Sequence, residues 1–232
     1  MLKLVIGNKN YSSWSLRAWL LLTESGIPFE EIRLSLSTPE FARDIVRHNP
    51  ARRVPVLIDS GVSARNAAGT AGPDGLAVWD TLAIAEYLAE LFPEKRLWPD
   101  DPADRARARS ICAEMHSGFP ALRNAMPMNV AADLAGFGWS VGVQDDIDRL
   151  VAMWRELLDH HRGPMLFGRF TIADAFFAPV ISRLTTYGVT LPDDIAAYRD
   201  AVLALKGMQA WTAAARAEGE FLADDEPYRR RA

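Results

Sequence analysis

The sequence predicts an α/β domain followed by an all-helical one. Three observations carry that expectation. Strand-like and helix-like apolar patterns alternate up to Leu91, a proline-bounded stretch from Pro93 to Pro102 interrupts them, and every periodic segment beyond it has helical spacing. The limits read from these shifts are 1–92 for the α/β part, 93–102 for a linker and 103–232 for the helical part.

Leu2 to Ile6 is a short apolar, β-branched run closed by Gly7, as expected of a buried strand. From Ser13 the apolar positions Leu16, Trp19 and Leu20 fall on one helical face, and Gly26 with Pro28 marks the stop. Phe29, Ile32 and Leu34 give a second strand. Thr38-Pro39-Glu40 has the form of an N-cap followed by proline at the first helical position, opening a helix to about His48. Val54 to Ile58 reads as a third strand and Leu76 to Trp79 as a fourth. Between them Ser60 to Gly75, rich in Ala, Gly and Asn, reads as a long, mobile hairpin loop. Ile84, Tyr87, Leu88 and Leu91 mark an amphipathic helix ending at Pro93. Strands joined through a helix are expected to be parallel and the last two antiparallel, which makes a small mixed sheet.

Beyond the linker, Ala108, Ile111, Cys112, Met115 and Phe119 share one face of a first helix, and Ile147, Leu150, Val151, Trp154 and Leu158 one face of the next. Thr171-Ile172-Ala173-Asp174 has capping-box form before an apolar helix to about Tyr187. Shorter helices are expected near Asp193–Leu205 and Met208–Glu218.

With 232 residues and 49% hydrophobic content, the chain can fill a sizeable core. A net charge of −4 and only short basic clusters, around Arg47, Arg52 and Arg53 and at Arg229-Arg230-Arg231, argue against nucleic acid or an anionic membrane as partner. No apolar run has membrane-spanning length, and Met1-Leu2-Lys3 leads into a strand rather than a signal peptide. The single cysteine, Cys112, excludes an intramolecular disulfide and a CxxC redox centre, and its apolar spacing marks it as a core thiol. Of the histidines only His160 and His161 are close. Neighbours on a helix point in different directions, so no metal site is expected. The default expectation is a reduced, cytoplasmic, metal-free protein.

Three features sit where such a sheet exposes its working edge. Asn10-Tyr11-Ser12-Ser13-Trp14-Ser15 places hydroxyls beside the free N–H groups and positive dipole end of the first helix, a setting that favours an anion such as a thiolate. The alternative is that Ser12 or Ser13 is only an N-cap. Val54-Pro55 sets proline at the start of a strand that should be central. A cis bond there would turn the Val54 backbone outward to receive an extended peptide, whereas a trans proline at a strand edge would be unremarkable. Asp80-Thr81 begins the amphipathic helix, where the Thr81 N–H and hydroxyl suit a carboxylate, or where Asp80 simply caps.

Taken in order, these blocks resemble the glutathione transferase superfamily: Ser12-Ser13-Trp14-Ser15-Leu16-Arg17, Asn49 to Leu57, Asp80 to Leu88, the Pro93–Pro102 linker and Thr171-Ile172-Ala173-Asp174. The resemblance spans Leu2 to about Gly207 and implies a thioredoxin-like βαβαββα domain before the helical one. It implies a serine-type enzyme, zeta- or beta-like, in which Ser12 handles the glutathione sulfur, with Tyr11, Ser13 and Ser15 held in reserve. It further implies that Arg53 pairs with the glycine carboxylate and that Val54 binds the cysteinyl backbone across a cis-Pro55. Asp80 and Thr81 would take the γ-glutamyl end. The second substrate, a small electrophile, is expected between the domains near Tyr11, Trp14, His116, Phe119 and Arg123, with Met126-Pro127-Met128 and Trp139 close by. Glutathione as co-substrate, a cytoplasmic homodimer and a detoxification role complete what the family implies.

The chain departs from the pattern in its long Ser60–Gly75 segment and in lacking cysteine at the sulfur position. A serine stabilises a thiolate but forms no mixed disulfide, which disfavours thiol-transferase chemistry. Competing expectations are a glutathione-dependent isomerase like the maleylacetoacetate isomerases, whose Ser-Ser-Cys run is missing here, and a non-enzymatic interaction module of the same fold.

Overall fold

The computed structural model describes residues 1–62, 71–72 and 75–229. The expected mobile loop lies mostly outside these described residues. The first half comprises β1 (Leu2–Ile6), α1 (Ser13–Glu24), β2 (Phe29–Arg33), α2 (Pro39–Asp44) with a 3-10 turn at Ile45–Arg47, β3 (Val56–Asp59), β4 (Ala71–Gly72), β5 (Gly75–Val78) and α3 (Thr81–Leu91). The strands form one mixed sheet in the order β2-β1-β3-β5-β4.

Side-chain alternation divides the sheet into two apolar faces. Leu2, Leu4 and Ile6 of β1 and Leu57 of β3 join the main core with α1 and α3. Val5, Val56 and Ile58 point the other way and pack with Ile45, covered by Phe41 of α2. Capping sets the helix starts: Thr38 accepts from the Phe41 N–H at 3.0 Å, and Pro39 occupies the first turn of α2.

β1 and β2 are parallel as expected, and β3 and β5 antiparallel. The expectation of parallel strands on either side of α2 does not hold, because β3 runs antiparallel to β1, pairing Val5 with Val56 and Leu2 with Asp59. The connection through the six-residue α2 begins and ends at the same sheet edge, so the chain re-enters the sheet reversed. The third strand also starts two residues later than the sequence suggests. Pro55, which has no N–H to give the ladder, stays outside it. As a result the C-terminal ends of β1 and β5 and the N-terminal end of β3 meet at one edge.

The second half is helical: α4 (Pro102–Ser117), α5 (Pro120–Ala125), α6 (Val141–His161), α7 (Ile172–Thr186), α8 (Asp193–Leu203) and α9 (Lys206–Glu218). Phe119 is not on the first helix of this half, as its spacing suggested. The chain breaks after Ser117, and Phe119 caps α5 in a left-handed conformation at φ 60°. The centre is α7, buried along almost its whole length and packed on both α1 and α4. A helix apolar on every side is a core element. Its start is the capping box read from sequence: the Thr171 N–H donates to Asp174 at 2.8 Å. The Leu166 N–H and Tyr198 hydroxyl reach the other Asp174 oxygen. Burial nevertheless pushes the Asp174 carboxyl up to about 6. Among the described residues no helix is long and apolar enough to cross a membrane.

Candidate active site

Everything that the sheet brings to its shared edge sits between β1 and α1, before β3, or after β5. The turn after β1 is built from buried polar residues. Asn8 receives the Ser12 N–H on its carbonyl at 2.8 Å and the Leu36 N–H on its side chain at 2.7 Å. The turn is then held from the far end of the chain. Glu218 accepts the N–H groups of Lys9 (2.7 Å) and Asn10 (3.0 Å), and Trp211 donates to the Lys9 carbonyl at 2.9 Å. Arg33 pairs with both Glu218 and Glu220. Nothing in the local sequence announces this strap, because its partners lie about two hundred positions apart.

Ser12 is the N-cap of α1 and accepts the Ser15 N–H at 3.3 Å. Its hydroxyl also lies 2.7 Å from that of Ser15, and Ser15 Oγ in turn accepts the Gly7 N–H at 3.0 Å. Ser12 and Ser13 each keep 7% of their surface exposed, whereas Ser15 is fully enclosed. The cap and the functional role are therefore compatible: one lone pair serves the helix while the hydroxyl stays at its mouth.

At the head of β3 the Val54–Pro55 bond is cis, as the resemblance implied. Asn49, itself buried, shapes the approach by donating to the Arg53 carbonyl at 2.7 Å and accepting the Ala51 N–H at 2.9 Å. Asp80 caps α3 by accepting the Leu82 N–H at 3.3 Å. Behind it the Thr81 hydroxyl is buried without a hydrogen-bond partner among the described residues, and Thr81 itself does not line the cleft. Arg53, Val54, Pro55 and Asp80 line one cleft of about 480 Å³ together with Trp14, Asn49, Ala51, Trp79 and His116. His116 reaches in from α4, with Nε2 3.3 Å from Asp80 Oδ2 and its ring edge-on to Trp14 at 5.0 Å. The pairing of His116 with Asp80 was not legible in the sequence.

The other residues expected at the second-substrate position separate. The Tyr11 hydroxyl is turned away, bonded to Glu226 (2.6 Å) and to the Glu220 carbonyl (2.9 Å). Burial, then the Glu226 contact, pushes it up to about 12. Tyr11 lines a separate hollow with Asn10, Asn129 and Arg216. Phe119, Met126 and Met128 are enclosed in the core, where their apolar side chains gain more from packing than from lining a polar cleft. Trp139 is 66% exposed on the loop before α6.

Arg123 lies behind the cleft in a cationic stack. Its guanidinium sits 4.8 Å from the Trp14 ring, and that of Arg17 sits 4.3 Å from the same ring. Arg17 is wholly buried. Its Nε donates to the Phe176 carbonyl, but among the described residues both Nη atoms lack partners, as do Nε and Nη2 of Arg123. Burial, reinforced by Arg123 and Arg183, pulls the Arg17 guanidinium well below its usual range, and burial followed by Arg123 lowers Arg183 to about 10. Cys112, enclosed nearby, has its thiol pushed well up by burial and is no nucleophile.

Comparison with known proteins bears on this edge as a whole. The family model "Glutathione S-transferase, N-terminal domain" matches residues 11–91, and "Glutathione S-transferase, C-terminal domain" matches residues 100–214. The chain is 30% identical over 182 residues to a probable maleylacetoacetate isomerase of Caenorhabditis elegans, covering 78% of each chain. It is 27% identical to glutathione S-transferase 1 of Dianthus caryophyllus, covering 82% of each. A solved glutathione transferase homologue from Burkholderia GL BGR1, with bound glutathione, superposes at a TM-score of 0.66 with 24% identity, covering 93% of this chain and 98% of that one. With both halves matched in order, and the edge built as described, the chain belongs to the glutathione S-transferase superfamily.

Proposed function

We propose that this protein is a glutathione transferase that binds glutathione along the shared sheet edge, ionises its thiol beside Ser12 and adds it to a small electrophile. The observation that carries this reading is the meeting of Arg53, Val54, Pro55 and Asp80 with Trp14 in one cleft beside the α1 N-terminus. Arg53 takes the glycine carboxylate, the Val54 backbone pairs with the cysteinyl residue, and Asp80 with the Thr81 hydroxyl holds the γ-glutamyl ammonium and carboxylate. His116 competes with the ammonium for Asp80 and swings aside, or shares it, when the peptide binds.

The serine pair supplies the thiolate donor. Ser15 is fully enclosed, and its proton has an acceptor in Ser12 Oγ at 2.7 Å. When Ser15 donates, no buried hydroxyl proton is left without a partner, and the Ser12 proton is free to point at sulfur. A free thiol has a pKa of about 8.5, so one charge-assisted O–H···S⁻ bond and the helix dipole act where little thiolate would otherwise exist. The thiolate, its proton already given to solvent, attacks the electrophilic carbon; the π bond or leaving-group bond at that carbon breaks, and its electron pair takes a proton from solvent or departs with the leaving group.

A second reading, glutathione-dependent isomerisation, is favoured by the unpaired Arg17 and Arg123 nitrogens beside Trp14 and by the isomerase relatives. There the thiolate adds to a double bond and leaves again after rotation. Family resemblance supports a cytoplasmic homodimer with a detoxification role.

Calorimetric titration of glutathione into the wild type and Asp80→Ala tests the site. The wild type should bind. The variant should bind at least about tenfold more weakly, as expected for losing a hydrogen bond to a charged group. A wild type that does not bind glutathione would overturn the assignment and leave the interaction-module alternative.

A further inference from the structure

Far from the glutathione edge, α6 ends in His160 and His161, and α4 carries Asp104 in its first turn. Among the described residues, these side chains form a group whose ligand atoms all lie within 4.8 Å of one another. The sequence argued against this, since successive helix residues diverge. Here α6 stops immediately, with Arg162 left-handed at φ 52°, and both imidazoles bend towards α4, their ring centroids 4.7 Å apart.

We propose that Asp104, His160 and His161 form a binding site for a divalent transition-metal ion of the zinc, nickel or copper type. Two imidazoles and one carboxylate are a ligand set for such borderline cations rather than for magnesium or calcium, which prefer all-oxygen shells. Tetrahedral coordination at about 2.0–2.2 Å places ligand atoms roughly 3.3–3.6 Å apart. His161 Nε2 and Asp104 Oδ1 are already 3.6 Å apart, too long for a good hydrogen bond and right for sharing an ion. Among the described residues the same Nε2 is buried without a hydrogen-bond partner, which costs stability unless something satisfies it. The His161 ring is held against Phe167 at 5.0 Å, so the ligand is fixed before binding.

An exposed ion pair also links the two helices. Arg107 and Glu156 pair across them at 2.8 Å one turn away, so Asp104 faces the histidines without a metal to bring it there. The nearest cation on the same turn, Arg105, is directed to the Pro99 and Asp100 carbonyls at 3.1 and 2.9 Å, away from the cluster. With three protein ligands the fourth position is left to water. The ion ties the first helix after the linker to the end of the longest helix, so its effect is on stability rather than on the thiol chemistry.

The test is calorimetric titration of untagged, full-length protein with Zn²⁺ and with Ni²⁺, with thermal unfolding followed in parallel. One ion per chain should bind and raise the unfolding midpoint. His160→Ala, which removes an exposed side chain, and Asp104→Asn should each weaken binding at least tenfold. His116→Ala, at the other His–Asp pair, should leave it unchanged. Absence of 1:1 binding, or binding that survives both His160→Ala and Asp104→Asn, would refute the site, as would binding lost only in His116→Ala.

Discussion

The serine pair at the mouth of α1 makes a prediction that separates positioning from chemistry. Ser12→Ala removes the proposed donor to sulfur. A charge-assisted hydrogen bond contributes about 1.5–3 kcal/mol, and about 1.36 kcal/mol corresponds to one pKa unit, so the bound thiol should rise by about 1–2 units. Ser15→Ala acts differently. It deletes the group 2.7 Å from Ser12 Oγ and also the acceptor of the Gly7 N–H, which is then buried and unpaired. Orphaning that N–H should cost about 1–3 kcal/mol of stability. Freed from Ser15, the Ser12 hydroxyl can rotate, so the bound thiol should rise by less than one unit, on the order of half the Ser12→Ala effect. The assay is thiolate ultraviolet absorbance of the glutathione complex against pH, paired with urea unfolding of each variant. Ser12→Ala should change the thiol titration most and also cost about 1–2 kcal/mol of stability, because it removes the α1 N-cap and leaves the enclosed Ser15 hydroxyl without its acceptor; Ser15→Ala should cost stability with the smaller change in titration. A bound-thiol pKa that is the same in wild type and Ser12→Ala, with glutathione still bound, would refute the argument.

Other expectations follow from the same structure. Asp174 is held near pH 6 in the fold against about 3.9 in the unfolded chain, so the folded state binds the extra proton between those values. Its contribution to stability is therefore greatest below about pH 4 and falls by roughly 3 kcal/mol as the pH rises through 6. Asp174→Asn should flatten that slope in pH-dependent unfolding while lowering stability overall, since one amide oxygen cannot serve both the Leu166 and Thr171 N–H groups. Glu218→Gln leaves one of the Lys9 and Asn10 N–H groups facing an amide that cannot accept. It should cost about 1–3 kcal/mol and raise KM for glutathione more than it lowers kcat. Cys112, enclosed and with its thiol pushed up, should react with an aromatic disulfide reagent only at the rate of unfolding, and rapid labelling of the folded protein would contradict its burial.

What was legible in the sequence was whatever is local. The apolar run of β1, the capping of α2 and the Thr171–Asp174 box depend on residues a few positions apart, and they appear in the structure as read. Val54, Pro55 and Asp80 were marked by their places at the starts of a strand and a helix, whereas Arg53 was marked only by the family resemblance; all four line the cleft. The reversal of β3 was missed because parallel crossover assumes a helix long enough to carry the chain back along the sheet, and six residues are not. Tyr11 and Phe119 were placed at the cleft by proximity along the chain. Their directions are set by Glu226 and by the left-handed break before α5, and neither has a local signature. The same holds for His116 against Asp80 and for the Arg17–Trp14–Arg123 stack, which arise only when α1 docks on the helical half.

The clasp of Glu218, Glu220 and Trp211 on the β1–α1 turn also has a consequence in time. The serine turn is synthesised about two hundred residues before its anchors. Domains generally fold as units during synthesis, amino-terminal first. On the ribosome the sheet can form while its turn still lacks the partners for the Lys9 and Asn10 N–H groups. The proposed sulfur site is therefore completed only after residues 211–220 emerge, so a nascent chain carries the sheet before the Ser12 turn is anchored.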